Sequence, residues 1–182
     1  MKKTGILLIG LLVFQFILTD VSSAQWGLGA AVEIRDQDPT TGVGIKLERE
    51  ILSKAPIIDL NLRGHFSWFY DSDGNGIIDE ALQSELNVYD YGLALVLGVK
   101  LGLVKPYIGG GIGREHYREE SGGGLLSHSE DNFYWNGFGG AEITLLPYLK
   151  PFIEFRYSKL TDIDEIRVSE YNRLSIGLTF RF

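Results

Sequence analysis

From residue 26 onward, apolar and polar side chains alternate one for one in eight separate stretches. The last is the plainest: Leu174, Ile176, Leu178, Phe180 and Phe182 fall on one side, with Arg173, Ser175, Gly177, Thr179 and Arg181 on the other. A period of two predicts a strand with unlike faces. The first stretch sets Trp26, Leu28, Ala30, Val32 and Ile34 against Gly27, Gly29, Ala31 and Glu33. The second sets Val43, Ile45 and Leu47 against Gly42, Gly44, Lys46 and Glu48. In the third, Ile58, Leu60, Leu62, Phe66 and Trp68 alternate with Asp59, Asn61, Arg63, His65 and Ser67. In the fourth, Tyr89, Tyr91, Leu93, Leu95, Leu97 and Val99 oppose Val88, Asp90, Gly92, Ala94 and Gly98. The fifth is glycine-rich and the weakest, with Ile108 and Ile112 against Tyr107, Gly109, Gly111, Gly113 and Glu115. The sixth opposes Trp135, Gly137, Gly139, Ala141 and Ile143 to Tyr134, Asn136, Gly140 and Glu142, and the seventh opposes Ile153, Phe155 and Tyr157 to Glu154, Arg156 and Ser158.

The connections alternate in kind. Those after strands two, four and six are tight, at 52–56, 100–105 and 147–150; those after strands three, five and seven are longer and polar, at 70–84, 118–131 and 160–169. The first outward loop, 35–41, is short but polar. Short turns at one end and long loops at the other form the pattern of an outer-membrane barrel with both termini on the periplasmic side. A sheet in hydrocarbon has to close, because every backbone N–H and C=O must find a partner within it. The predicted fold is therefore all-β: an eight-stranded antiparallel up-and-down transmembrane β-barrel, preceded by a signal peptide.

That leader occupies residues 1–24, and the barrel domain residues 25–182. Lys2 and Lys3 make a positive start, residues 5–18 are an apolar run, and Ser22, Ser23 and Ala24 offer small residues for cleavage. Gln15 and Asp20 leave the run short of the ~20 apolar residues a spanning helix needs. The expected route is export through the Sec pathway to the bacterial outer membrane. Losing Lys2, Lys3 and Asp20 takes 17 basic and 24 acidic residues to 15 and 23, a net charge of −8. That balance argues against a nucleic-acid partner, since phosphate binding draws on clustered Lys and Arg. With no cysteine there is no disulfide, free thiol or lipidated Cys.

Closure turns the polar faces inward. The expected lumen set is Glu33, Lys46, Glu48, Asp59, Arg63, Asp90, Glu115, Glu142, Glu154, Arg156, Arg173 and Arg181, with glycines leaving room for the arginines. Charges of both signs predict a mutually paired network, because buried charges need partners. Trp26, Trp68, Phe69, Tyr70, Tyr89, Tyr91, Phe133, Trp135, Phe180 and Phe182 lie near strand ends, where interfacial girdles belong; aromatics also favour strands in general.

These features resemble the small eight-stranded outer-membrane barrels of Gram-negative bacteria, the superfamily of the OmpA transmembrane domain, OmpX and the opacity-type surface proteins. The residues that carry the resemblance are the leader ending at Ala24, the Lys-Pro-Tyr-Ile-Gly-Gly-Gly-Ile-Gly stretch at 105–113, and the final Leu-Ser-Ile-Gly-Leu-Thr-Phe-Arg-Phe ending at Phe182. The resemblance implies fold and location, and it implies recognition of the terminal strand, through Phe182, by the barrel-insertion machinery. It does not imply one function, because this fold hosts adhesins, enzymes and proteins of other roles. The expected partners are outer-membrane lipids and lipopolysaccharide, and the expected state is a monomer.

The most specific local motif is Asp71-Ser-Asp73-Gly-Asn75-Gly76-Ile77-Ile-Asp79. It matches the first nine positions of a calcium loop, with side-chain oxygens from Asp71, Asp73, Asn75 and Asp79, the Ile77 carbonyl, and a glycine where the chain turns sharply. Leu82 stands where the closing bidentate Glu belongs; Glu80 and Glu85 are the nearby substitutes. The alternative is a polar hairpin whose Asp, Asn and Gly suit a turn. No other cofactor is expected. Catalysis would need a base within reach of a hydroxyl, and the candidates are His65, His116 and His128, the last beside Ser127, Ser129 and Glu130. His65 falls on the lumen face, and the Ser-His-Ser-Glu run has nothing obvious to fix it. The expected function is therefore structural or surface-interacting, through polar outer segments at 119–130 and 161–170, and not enzymatic. The alternatives are a lipid-modifying enzyme or a narrow channel for small solutes; a wide pore does not fit eight strands.

Overall fold

The structure, a computed structural model, describes residues 26–52, 57–70, 85–121, 126–144, 148–161 and 169–182; the side chains of residues 85, 119–121 and 126–128 lie outside that description. Eight strands follow one another: β1 (Trp26–Arg35), β2 (Thr41–Glu50), β3 (Ile58–Tyr70), β4 (Glu85–Val99), β5 (Val104–Ser121), β6 (Leu126–Ile143), β7 (Leu149–Thr161) and β8 (Glu170–Arg181). Each pairs antiparallel with the next, and β1 closes the sheet on β8. The seam is sealed at its base by reciprocal hydrogen bonds of 2.9 Å between the backbones of Trp26 and Phe182.

The register sets the shape. One row of partners runs from Leu28 through Leu47, Gly64, Leu93 and Ile112, and on through Trp135 and Lys159 to Glu170. Across the seam Leu28 pairs with Phe180, so the row returns ten residues away from its start. With eight strands, that stagger corresponds to a tilt of about 40° and a radius of about 8 Å at ordinary strand spacing. It also means that each row climbs toward the extracellular rim as it passes from β1 to β8.

The faces are as the alternation predicts. Among the described residues 35 large apolar side chains are exposed and 23 polar or charged ones are buried, an arrangement that only a lipid solvent allows. Apart from Phe155, the exposed aromatics form two bands. Trp26, Tyr148, Phe180 and Phe182 ring the end with short turns, and Phe66, Trp68, Tyr70, Tyr91, Phe133 and Trp135 ring the other.

Three expectations need correction. Phe69 is not a girdle residue: it is fully buried, because in Trp68-Phe69-Tyr70 the middle ring of a period-two strand must point inward. The segment 118–131 is not an open loop. β5 runs to Ser121 and β6 starts at Leu126, with Arg118 opposite Ser129 and Glu120 opposite Ser127, so the hairpin continues well past the girdle. The lumen glycines make room for rings and for side chains such as Lys46, Glu33 and Asp59 rather than for arginines. Gly109 stands opposite Phe138, Gly113 opposite Tyr134 and Gly140 opposite Tyr107, and a Cβ at each would come within 2.3–2.6 Å of the facing ring. At Gly109 and Gly113 this explains why the fifth stretch is poor in side chains: its neighbour's rings lie over it.

Candidate functional site

The lumen is the first place to seek a site, and it is filled. Among the described residues seven cations and eight carboxylates are buried, nearly balanced in charge. They include every member of the expected set, and three that the alternation left unassigned: Arg35, Glu50 and Lys105. The network forms layers along the axis. Near the short turns, Lys105 lies 2.9 Å from Asp59 and 3.4 Å from Glu142, and Arg181 donates to Glu48 at 2.9 Å. At mid-height Arg63 bridges Glu48, at 2.8 Å, and Glu154, which Arg156 also holds at 2.8 Å. Above it Arg173 donates to Asp90, to Glu33 at 3.2 Å and to the Ser67 hydroxyl at 3.0 Å.

The top is closed by Arg35. Its guanidinium donates to the Pro39 carbonyl at 2.7 Å and the Asp38 carbonyl at 2.9 Å, lies 3.4 Å from Glu115, and covers the Phe69 ring at 4.5 Å. Rings fill what the ions leave. Arg63 lies over Phe138 at 4.8 Å, and the Lys46 ammonium sits 3.3 Å from the Phe152 centroid. Such contacts suit a cation that must leave water. At mid-barrel a cavity of about 20 Å³ remains beside Glu33 and Glu154, room for about one water, and a larger one of about 240 Å³ opens at the short-turn end among Glu50, Asp59, Lys105 and Arg181.

The sequence-predicted sites are spread widely. His65 belongs to the lumen, its Nε2 2.8 Å from the Tyr134 hydroxyl, which donates to Asp90 at 3.3 Å. His116 is on the outer wall, its Nδ1 2.8 Å from Asp131 and its ring stacked on Tyr89 at 4.7 Å. A base and an orienting carboxylate are thus together, but among the described residues no hydroxyl hydrogen-bonds His116. His128 lies on the backbone of β6. Asp71, Asp73, Asn75, Ile77 and Asp79, with Leu82, lie outside the described residues. Among the described residues, no group of three or more His, Asp or Glu side chains converges to hold a metal ion.

Sequence reasoning did not find Arg114. It is an exposed cation on the lipid-facing side of β5, between Tyr91 on β4 and Phe133 on β6. The signal was available: Arg114 sits where the alternation of β5 calls for an apolar side chain, two residues beyond Ile112.

Comparison with known proteins agrees with the architecture. Residues 14–182 match the family of the outer membrane protein beta-barrel domain. No curated protein sequence matches the chain. Among solved structures, Neisserial surface protein A is 14% identical, covering 87% of this chain and 97% of its own, with a TM-score of 0.62. Ail, the attachment invasion locus protein of Yersinia pestis, is 18% identical over 87% of this chain and 97% of its own, with a TM-score of 0.57. The outer membrane enzyme PagL is 13% identical over 85% of this chain and 98% of its own, with a TM-score of 0.51. Identities this low speak for the fold alone. A closed eight-stranded barrel with an apolar wall, two aromatic girdles and a polar interior, matched across nearly its whole length, belongs to the outer membrane protein beta-barrel domain family and resides in the bacterial outer membrane.

Proposed function

We propose that this barrel is a non-conducting scaffold that works at its extracellular side, holding polar connections at the cell surface for interaction. The observation that carries the reading is the filled lumen. Arg63 and Arg173 are each 1% exposed and tied to carboxylates on other strands, so they block the axis at two heights. A solute would have to break buried ion pairs to pass, and breaking one costs about 3–5 kcal/mol. What remains for contact is the outer end, where the β5–β6 hairpin extends past the girdle and connections 71–84 and 162–168 are rich in Asp and Glu.

A hydrolase reading draws on one observation, the His116–Asp131 pair at 2.8 Å on the outer wall. It would require a nucleophile supplied from elsewhere. The surface reading is tested in a strain lacking the protein. The full chain is compared with a variant whose connections 71–84 and 162–168 are cut to short turns, scoring adherence to cells and immobilised glycans. The trimmed barrel should keep its heat-modifiable mobility and lose adherence. Adherence that survives trimming contradicts the reading.

A further inference from the structure

Gly64 is out of place on the outer wall. From β1 to β5 its row is otherwise Leu28, Leu47, Leu93 and Ile112, all exposed to lipid. A Cβ on Gly64 would meet nothing nearer than Leu93 at 3.8 Å. The missing side chain opens a cleft of about 730 Å³ between this row and the next, which passes through Phe66, Tyr91, Arg114 and Phe133. That volume lies within the roughly 300–1,000 Å³ of small-molecule pockets.

Position and slope narrow the occupant. Rows climb toward the extracellular rim from β1 to β5, so the cleft descends from Arg114 to Leu28. Four strand spacings at ~4.8 Å give a length of about 19 Å, and a 40° tilt gives a drop of about 12 Å. The drop is close to one leaflet of a hydrocarbon core ~30 Å thick. The upper end carries Arg114, flanked along its row by the girdle residues Tyr91 and Phe133 and therefore at headgroup depth. Among the described residues no carboxylate pairs with Arg114, whereas His116, two residues on along that face, has its Nδ1 2.8 Å from Asp131. A second apolar cleft, of about 620 Å³ between Ala141 and Leu178, has no charged side chain in its lining.

We propose that the first cleft holds one acyl chain of a phosphorylated outer-leaflet lipid, with the lipid phosphate on the Arg114 guanidinium. Guanidinium and phosphate pair by two parallel hydrogen bonds, and the chain fills the trough that Gly64 leaves open. Lipopolysaccharide, with phosphates and acyl chains on one molecule, has both parts. This goes beyond the surface reading, since it concerns the membrane wall and not the outer connections, and either can fail alone.

The test is native mass spectrometry of the folded barrel with phosphorylated lipid A, dephosphorylated lipid A or inorganic phosphate. One phosphorylated lipid A should be retained, and Arg114→Gln should weaken it by about tenfold, the scale of a lost charged hydrogen bond. Gly64→Leu, which fills the cleft, should weaken it comparably. Gly137→Leu should not, since a Cβ there meets nothing within 4 Å and the residue lies outside the cleft. A mobility shift on heating checks that each variant is folded. Equal retention by wild type, Arg114→Gln and Gly64→Leu overturns the proposal. So does dephosphorylated lipid A bound as tightly as phosphorylated, which would leave only a greasy wall. Inorganic phosphate that displaces the lipid overturns it too, by reducing the site to an anion contact.

Discussion

Arg173 donates to Glu33, Ser67 and Asp90 from three other strands while itself almost wholly buried. Replacing it with Leu strands two carboxylates, and the expected loss is about 3–5 kcal/mol. Pairing the change with Asp90→Asn should recover part of that loss. Urea unfolding in phospholipid vesicles measures both, and an unchanged midpoint for Arg173→Leu would show a solvated interior instead. A second residue-scale prediction concerns the glycine–ring pairs. Gly113→Val places atoms 2.4–2.5 Å from the Tyr91 carbonyl and the Tyr134 ring, and should cost about 1–3 kcal/mol by overpacking. Gly137→Val on the lipid face should be near neutral. Equal midpoints for the two would refute the packing argument. The charged members of the lumen were legible because alternation alone places a residue inside or outside. Tyr107 and Tyr134 fall on the inward faces by the same alternation, but Phe138 was not legible until the register set it opposite Gly109.

At the scale of elements, all eight strands and their faces follow from the period-two pattern, because a strand one face of which meets lipid cannot tolerate a slip. Their ends do not. β5 and β6 extend beyond the girdle, with β4 paired alongside as far as Glu85, and the outward residues there are Arg118, Asp131 and Ser129. There both faces are polar, and the hydrophobic contrast that marks a strand disappears while the backbone ladder continues. Trypsin tests this directly: in the folded barrel Arg118, held in the ladder opposite Asn87 and Ser129, should be cut far more slowly than in the urea-unfolded chain. Equal rates would return that segment to a loop. The tight turn that the sequence predicts between β4 and β5 is present, and Gly102, at φ 67°, supplies the left-handed step it requires.

The whole molecule inverts a soluble domain, with paired charges and rings as its core and aliphatic side chains as its surface. Stagger, tilt and radius follow from one row of partners, and the radius leaves a lumen that side chains fill. Interior packing was therefore largely determined once eight strands were counted, whereas the chemistry at the outer wall was not, since it depends on where a tilted row carries Arg114. The central claim, a barrel closed along its axis by buried ion pairs, is tested most directly by single-channel recording of the purified protein in planar bilayers. The account predicts no resolvable conductance steps from the wild-type barrel at any moderate voltage. Steady, ohmic steps from protein shown to be folded by its heat-modifiable mobility would contradict it.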